Sequence, residues 1–463
     1  MKSTMILLSI MALFFVGLAV HSSYGEEVLV TVDTVDSLVQ PYLDAELVNA
    51  ISIGVVQGDK SWSQHFGSLS TEVNKKPTGR TVYEIGSMSK VFTGILLAHA
   101  VKSGRVTLNQ SIGTIMKKLQ TANKKVGKSI RLGHLSTHIS GLPRLPSNLA
   151  PVDNANPYAD YDRKRLLEFM CGVEPERKPG AKGEYSNLAV GLLGDLLAVE
   201  AGMDYGALLM QNLTGPLELN DTCLNLSYDQ IDRLAPPHNA GRQADKNWTF
   251  DALAGAGGIR STTDDMMRFI DANLHPPEGV LGEAIELAWK QHLPSRNGDF
   301  AMGLGWHIAR DGQTRWHNGQ TGGYHSMILV SRELDAGVVV LCNTATGEVD
   351  ALAESIIQAL AGMKVAPRTF PKEKSIPAAE VARLVGRYQI VPQFILTVRA
   401  DGEKLFVQAT NQGENRVYPE SPTEWKLRVV DASLTFEVPD KGKCVAVTLH
   451  QNGRDMRGTR IGD

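Results

Sequence analysis

The residues with the clearest chemistry are Ser87 and Lys90, in the run Tyr83-Glu84-Ile85-Gly86-Ser87-Met88-Ser89-Lys90. Three residues apart on a helix, they stack on one face, one turn from each other. A serine hydroxyl is a weak nucleophile until a base takes its proton. A lysine amine can be that base when burial and a nearby positive field lower its pKa. A helix opening with Ser87 supplies part of that field, because the free N–H groups of its first turn disfavour an ammonium and favour an oxyanion. Such a pair arises about once or twice by chance in a chain of this length, so its partners decide the matter. Two stretches qualify. Tyr185 and Asn187 lie two residues apart just before a helix, a phenol able to relay a proton and an amide able to hold a substrate amide. His317-Asn318-Gly319-Gln320 places a glycine where substrate can approach a strand edge, and the Gln320 N–H can complete an oxyanion hole with that of Ser87. Taken singly, each has a plain structural alternative: a helix cap with a half-buried tyrosine, and an ordinary glycine-rich turn.

These residues need a frame. Val35 to Ala45 reads as a first helix, followed by an alternating strand at Ile51–Val56, a Gly58-Asp59 turn and a return strand at Trp62–Phe66. The Ser87 helix carries apolar positions at Val91, Phe92, Ile95 and Leu96 and stops near Gly104. From Thr107 to about Leu293 the pattern is helical, with an apolar helix at Asn187–Ala201, a capped helix start at Thr262 and a surface loop at Pro146–Asp162. Short strands return at Gly303–Ala309, Gln313–His317, Tyr324–Ser331 and Ala336–Asn343, with a closing helix at Val349–Ala361. Trp306 and His307 read as one buried and one exposed strand side chain. The fold class is α+β: an antiparallel sheet flanked by N- and C-terminal helices with an inserted all-α region, plus a small C-terminal all-β barrel or sandwich. The divisions are a signal segment at 1–25, a main domain at 26–363, a proline-containing linker at 364–378 and a β domain at 379–463.

With 463 residues, 43% hydrophobic and 21% charged, the chain has an ordinary globular balance and room for two or three domains. A net charge of -3 without long basic runs speaks against nucleic-acid binding. Lys2 followed by an uncharged apolar run from Met5 to Val20, then Ser23 and Gly25, reads as a cleaved secretory signal rather than a membrane anchor, and implies an exported, periplasmic or secreted protein. Cys171, Cys223, Cys342 and Cys444 are scattered; export permits disulfides, but spacing selects no pairing, and four unpaired cysteines fit equally well. His134 and His138 have a zinc-like spacing but lack the glutamate of His-Glu-x-x-His, so no metal or other cofactor is predicted.

Ser-x-x-Lys at Ser87, Tyr-x-Asn at Tyr185 and His-x-Gly at His317, in that order, together resemble the serine β-lactamase and penicillin-binding protein superfamily, in its class C β-lactamase-like branch. Leu135-Ser136-Thr137-His138-Ile139-Ser140-Gly141-Leu142-Pro143, Gly257-Gly258-Ile259-Arg260-Ser261-Thr262 and Gly303-Leu304-Gly305-Trp306 add to the likeness, which covers roughly residues 30 to 365. The resemblance implies a β-lactamase/transpeptidase-like fold and a serine hydrolase that forms an acyl-enzyme on Ser87. Lys90 and Tyr185 would move the proton, Asn187 would orient substrate, and Ser87 and Gln320 would hold the oxyanion. His317 and Gly319 would line the substrate strand. One departure stands out. Class C β-lactamases usually carry Lys-Thr-Gly where this chain has His317-Asn318-Gly319, and a histidine is mostly neutral at pH 7. Arg315, two residues earlier, either supplies the missing charge or is a solvated strand arginine. The implied substrate is a small molecule or a peptidoglycan peptide, acted on by a penicillin-binding D-alanyl-D-alanine carboxypeptidase/β-lactamase. The alternatives are an esterase or D-amino-acid peptidase, and, from another class, a non-catalytic binding module. Cell-wall or membrane-surface association is compatible with export, and the oligomeric state is open.

Overall fold

A computed structural model describes residues 32–70, 74–119, 123–294, 301–370, 373–410, 412, 414–428 and 430–462. The stretch 1–25, where the sequence predicts a signal segment, lies outside them. Seven antiparallel strands form the main sheet, in spatial order Lys60–Gly67, Ala50–Gln57, Ala336–Cys342, His325–Ser331, Thr314–Gln320, His307–Ile308 and Ala301–Met302. Both ends of this region therefore meet in one sheet, Ile51 lying opposite Cys342 and Val56 opposite Gly337. Period-2 alternation sorts the central strands between two cores. Ile51, Ile53, Val55, Met327, Leu329, Val338 and Val340 face helices Val32–Asp44 and Glu348–Leu360. Ile328, Val330, Val339 and Leu341 face the other way, toward helix Thr263–Leu274 and the helical region.

Two helices at the centre of that region, Ser89–Lys102 and Asn187–Ala201, are apolar nearly all round. Such helices belong inside a larger core rather than at its surface. Ser186 fixes where the second begins, its side chain accepting the Ala189 N–H at 2.9 Å.

The C-terminal region is a barrel, not a sandwich. Eight antiparallel strands from Gly386–Val391 to Arg454–Gly462 close on themselves, Arg387 lying opposite Gly462. Closure leaves no strand edge unpaired. Helix Ala378–Leu384 packs Val381 and Leu384 into the barrel's own core with Trp425 and Phe436. The barrel rests on the main region through Arg416, whose guanidinium meets Glu373 at 2.6 Å and Glu46 at 3.5 Å. Its backbone N–H donates to Gln243 Oε1.

Three local expectations change. Ser87 sits in a short 3₁₀ turn, Gly86–Met88, and the α-helix proper starts at Ser89. The stretch Gly303–Ala309 is mostly turn, so alternation does not operate, and Trp306 and His307 are both buried, at 0% and 6% exposure. Arg315 is neither solvated nor a substrate cation. It donates to the carbonyls of Trp289, Gly312 and Gln313 and lies over the Trp289 ring. The four cysteines are unpaired; Cys342 and Cys444 are buried and Cys171 is exposed.

Candidate active site

The turn that carries Ser87 follows the two-residue strand Tyr83–Glu84, pinned to Arg260–Ser261. Gly86 adopts φ +49°, a conformation natural to glycine, and a Cβ there would lie 2.6 Å from the Gln320 amide nitrogen. Across the gap, a Cβ on Gly319 would fall 2.0 Å from the Ile85 carbonyl oxygen and 2.9 Å from the Ser87 nitrogen. The two glycines thus let two backbones meet, and this brings the Ser87 and Gln320 amides close together. Behind the strand, Asp350 on the closing helix accepts from Asn318 at 2.8 Å and pairs with His325 at 2.7 Å, while His325 also reaches Gln320 Oε1 at 3.0 Å.

Lys90 has no solvent exposure. Its Nζ is 2.9 Å from Ser87 Oγ and 2.6 Å from the Ala256 carbonyl oxygen. Burial, and after it the Arg144 charge, hold its pKa well below the ordinary lysine value, favouring the free amine. The Tyr185 side chain lies beside Ser87, and the Lys90 amine lies 4.9 Å from the centre of the Tyr185 ring. Burial raises the tyrosine pKa to about 12 against the opposing effects of Ser87 and Arg144, so near neutrality the residue is a phenol, not a phenolate.

Three histidines surround that ring. His138 lies 4.6 Å from it, His317 6.4 Å and His307 6.5 Å, and His307 and His317 are 4.9 Å apart. Burial is the leading cause that lowers all three pKa values, His307 to about 3. His317, 1% exposed, donates from Nδ1 to the Asn318 carbonyl oxygen; its buried Nε2 then carries a lone pair with no partner among the described residues. His134 and His138 diverge: His134 accepts the Arg131 N–H, and His138 accepts the Ser186 N–H. Among the described residues no cluster of His, Cys, Asp or Glu is arranged to hold a metal ion.

A family model described as Beta-lactamase matches residues 35–363. The chain belongs to the beta-lactamase family. Among similar proteins is a beta-lactamase of Escherichia coli K12, 28% identical over 280 residues, covering 60% of this chain and 70% of that one. Another, D-alanyl-D-alanine-carboxypeptidase/endopeptidase AmpH of the same organism, is 29% identical over 245 residues, covering 52% of this chain and 62% of that one. A solved class C beta-lactamase shares the fold with a TM-score of 0.65 at 21% identity, over 72% of this chain and 97% of its own. Residues 371–460 match a domain of unknown function, DUF3471.

Around these groups the beta-lactamase-family body builds an aromatic mouth. Tyr158, Trp248, Phe250, Asn187, Gln320 and Gly257 line a narrow cleft over Ser87. Tyr158 stacks on Phe250 at 4.6 Å and sits 5.4 Å from Trp248. Glu84, buried three residues before Ser87, holds the Trp248 loop by accepting from the Trp248 N–H at 2.9 Å and from Asn247 at 3.1 Å. Asn187 donates to Tyr158 Oη, which leaves its buried Oδ1 without a partner among the described residues, open to a substrate N–H. Sequence reasoning missed His307, Arg144 and the three aromatics. The aromatics come from loops, where no periodicity assigns a direction. Their one readable signal is large apolar side chains in otherwise polar loops, Tyr158 and Trp248 above all.

Proposed function

We propose that this protein is an exported serine hydrolase that transfers acyl groups through Ser87, with D-alanyl-D-alanine peptides of the cell wall as its substrate class. The observation that carries the reading is a buried Lys90 amine, held toward its neutral form, 2.9 Å from Ser87 Oγ, with the Tyr185 phenol packed beside both. In this scheme Ser87 Oγ attacks the scissile carbonyl as Lys90 accepts its proton. The oxyanion forms between the Ser87 and Gln320 amides, which need no reorganisation to meet it. As the tetrahedral species collapses, Tyr185 hands its proton to the leaving amine and recovers one from Lys90, so the C–N bond breaks without expelling an amide anion. Water then attacks the ester with the same groups working in reverse, releasing the acid and Ser87.

An esterase is the second reading, favoured by His317. Buried, driven toward its neutral form and tied to the Asn318 carbonyl, it offers no fixed charge of the kind Lys-Thr-Gly supplies. The test is a mass-spectrometric time course of intact protein with benzylpenicillin and, separately, with a D-Ala-D-Ala pentapeptide. An adduct on Ser87 and release of D-alanine support the peptidase. Turnover of short aryl esters with neither adduct nor D-alanine moves the assignment to an esterase. No reaction with any of the three overturns the hydrolase.

A further inference from the structure

A carboxylate on the substrate needs a cation, and the strand does not offer one. Arg315 is spent on backbone carbonyls and Trp289, and His317 is tied to Asn318. The cation that does face the reacting groups is Arg144. Its guanidinium lies 5.1 Å from the centre of the Tyr185 ring. It is exposed, and among the described residues it makes no hydrogen bond or ion pair. Its backbone is firmly held, however. The Arg144 carbonyl accepts the N–H groups of Asn187 and Leu188, and the Pro143 carbonyl accepts from the Ser186 hydroxyl. The residue is thus clamped to the start of the helix that presents Tyr185 and Asn187. Its charge is felt at Lys90, Tyr185, Tyr158 and His138. An unpaired guanidinium that lies over the Tyr185 ring and is carried on a clamped backbone suits a planar anion, which it can bind through two parallel hydrogen bonds.

We propose that Arg144 is a specificity-determining residue that receives a carboxylate on the leaving-group side of the substrate, doing from the helix side what a strand lysine does in relatives with Lys-Thr-Gly. The leaving-group side follows from Tyr185, which hands over the proton there and over whose ring Arg144 lies. This inference rests on the acyl-transfer reading above.

The test compares two aryl esters of one acyl group, with 3-hydroxybenzoate or 3-hydroxybenzamide as leaving group. The wild type is expected to favour the benzoate. Arg144→Gln is expected to raise KM for the benzoate ester about tenfold or more, the scale of one charge-assisted pair, and to move KM for the benzamide ester far less. Arg144→Lys, which keeps the charge but loses the fork, is expected to restore part of the preference. A merely structural arginine would depress both esters alike, and an Arg144→Gln preference equal to that of the wild type overturns the proposal. Failure of the wild type on both esters overturns the hydrolase reading and this inference with it. Turnover with unchanged preference overturns the role of Arg144 alone.

Discussion

On the floor of the cleft, Lys90, His138, His307 and His317 are shut off from water, and burial drives each toward its uncharged form. At the mouth, Tyr158, Trp248 and Phe250 come from loops, and polar atoms such as Asn187 Oδ1 and Trp248 Nε1 have no partner among the described residues. The floor thus holds a protonation pattern, and the mouth offers aromatic faces and unpaired polar atoms. A floor that tuned charge through paired ions would respond to salt; one that tunes it through burial does not. On the proposed reading, the difference separates the reaction, set by a dry constellation, from selectivity, set by loops that substitutions would change without touching the chemistry.

The sharpest way to break this comparison is Ser87→Ala. It is expected to cut turnover of any ester or peptide substrate by at least about 10³-fold and abolish the penicillin adduct, as loss of a nucleophile does. Unchanged hydrolysis would make the floor a binding surface. Next comes Tyr185→Phe, which removes the relay but keeps the ring; kcat for a peptide substrate is expected to fall about 10²- to 10⁴-fold. Aryl esters, whose leaving groups need less protonation, should lose less, and an equal loss on both would argue against the relay.

The pH profile comes third. For a base whose pKa is lowered, activity rises with pH as the proton leaves and levels off above that pKa. The acid limb of kcat/KM for a neutral ester is therefore expected to end well below 10.5, the ordinary lysine value. Arg144→Gln removes a like charge, so the Lys90 pKa rises and the limb moves to higher pH. A limb that stayed put would show that burial alone sets the floor. The smallest effect belongs to the mouth. Trp248→Ala is expected to raise KM about 5- to 20-fold, the loss of one aromatic contact, with kcat changed little. A large fall in kcat would mean that mouth and floor are not separable.

Much of this body was legible in the sequence because its strands alternate and its central helices are uniformly apolar. The spacing of Ser87 and Lys90 put them on one face, and they lie 2.9 Å apart although the serine occupies a 3₁₀ turn. His307 and Arg315 were misread for different physical reasons. Alternation predicts sides for a regular strand, whereas the Gly303–Trp306 turn buries consecutive residues; Arg315 lies on a regular strand, but its long side chain turns back onto the carbonyls of its own hairpin and of Trp289. A closed barrel and a sandwich share the same short alternating strands, and only the pairing of the first strand with the last tells them apart.

The meeting of Gly86 and Gly319 has one more consequence. Gln320 ends a strand of a sheet that cannot be completed until Ala336–Cys342 slots between Ala50–Gln57 and His325–Ser331, and the turn that carries Ser87 packs against that strand. During synthesis the first hairpin must wait, one edge open, while the entire helical region is made, the period when such chains are most exposed to wrong pairing. A nascent or clipped chain short of that strand has its serine and lysine but nowhere to place the negative oxygen. If the proposed acyl transfer holds, it reports finished folding, and a fluorescent acylating probe would count completed molecules rather than merely soluble ones.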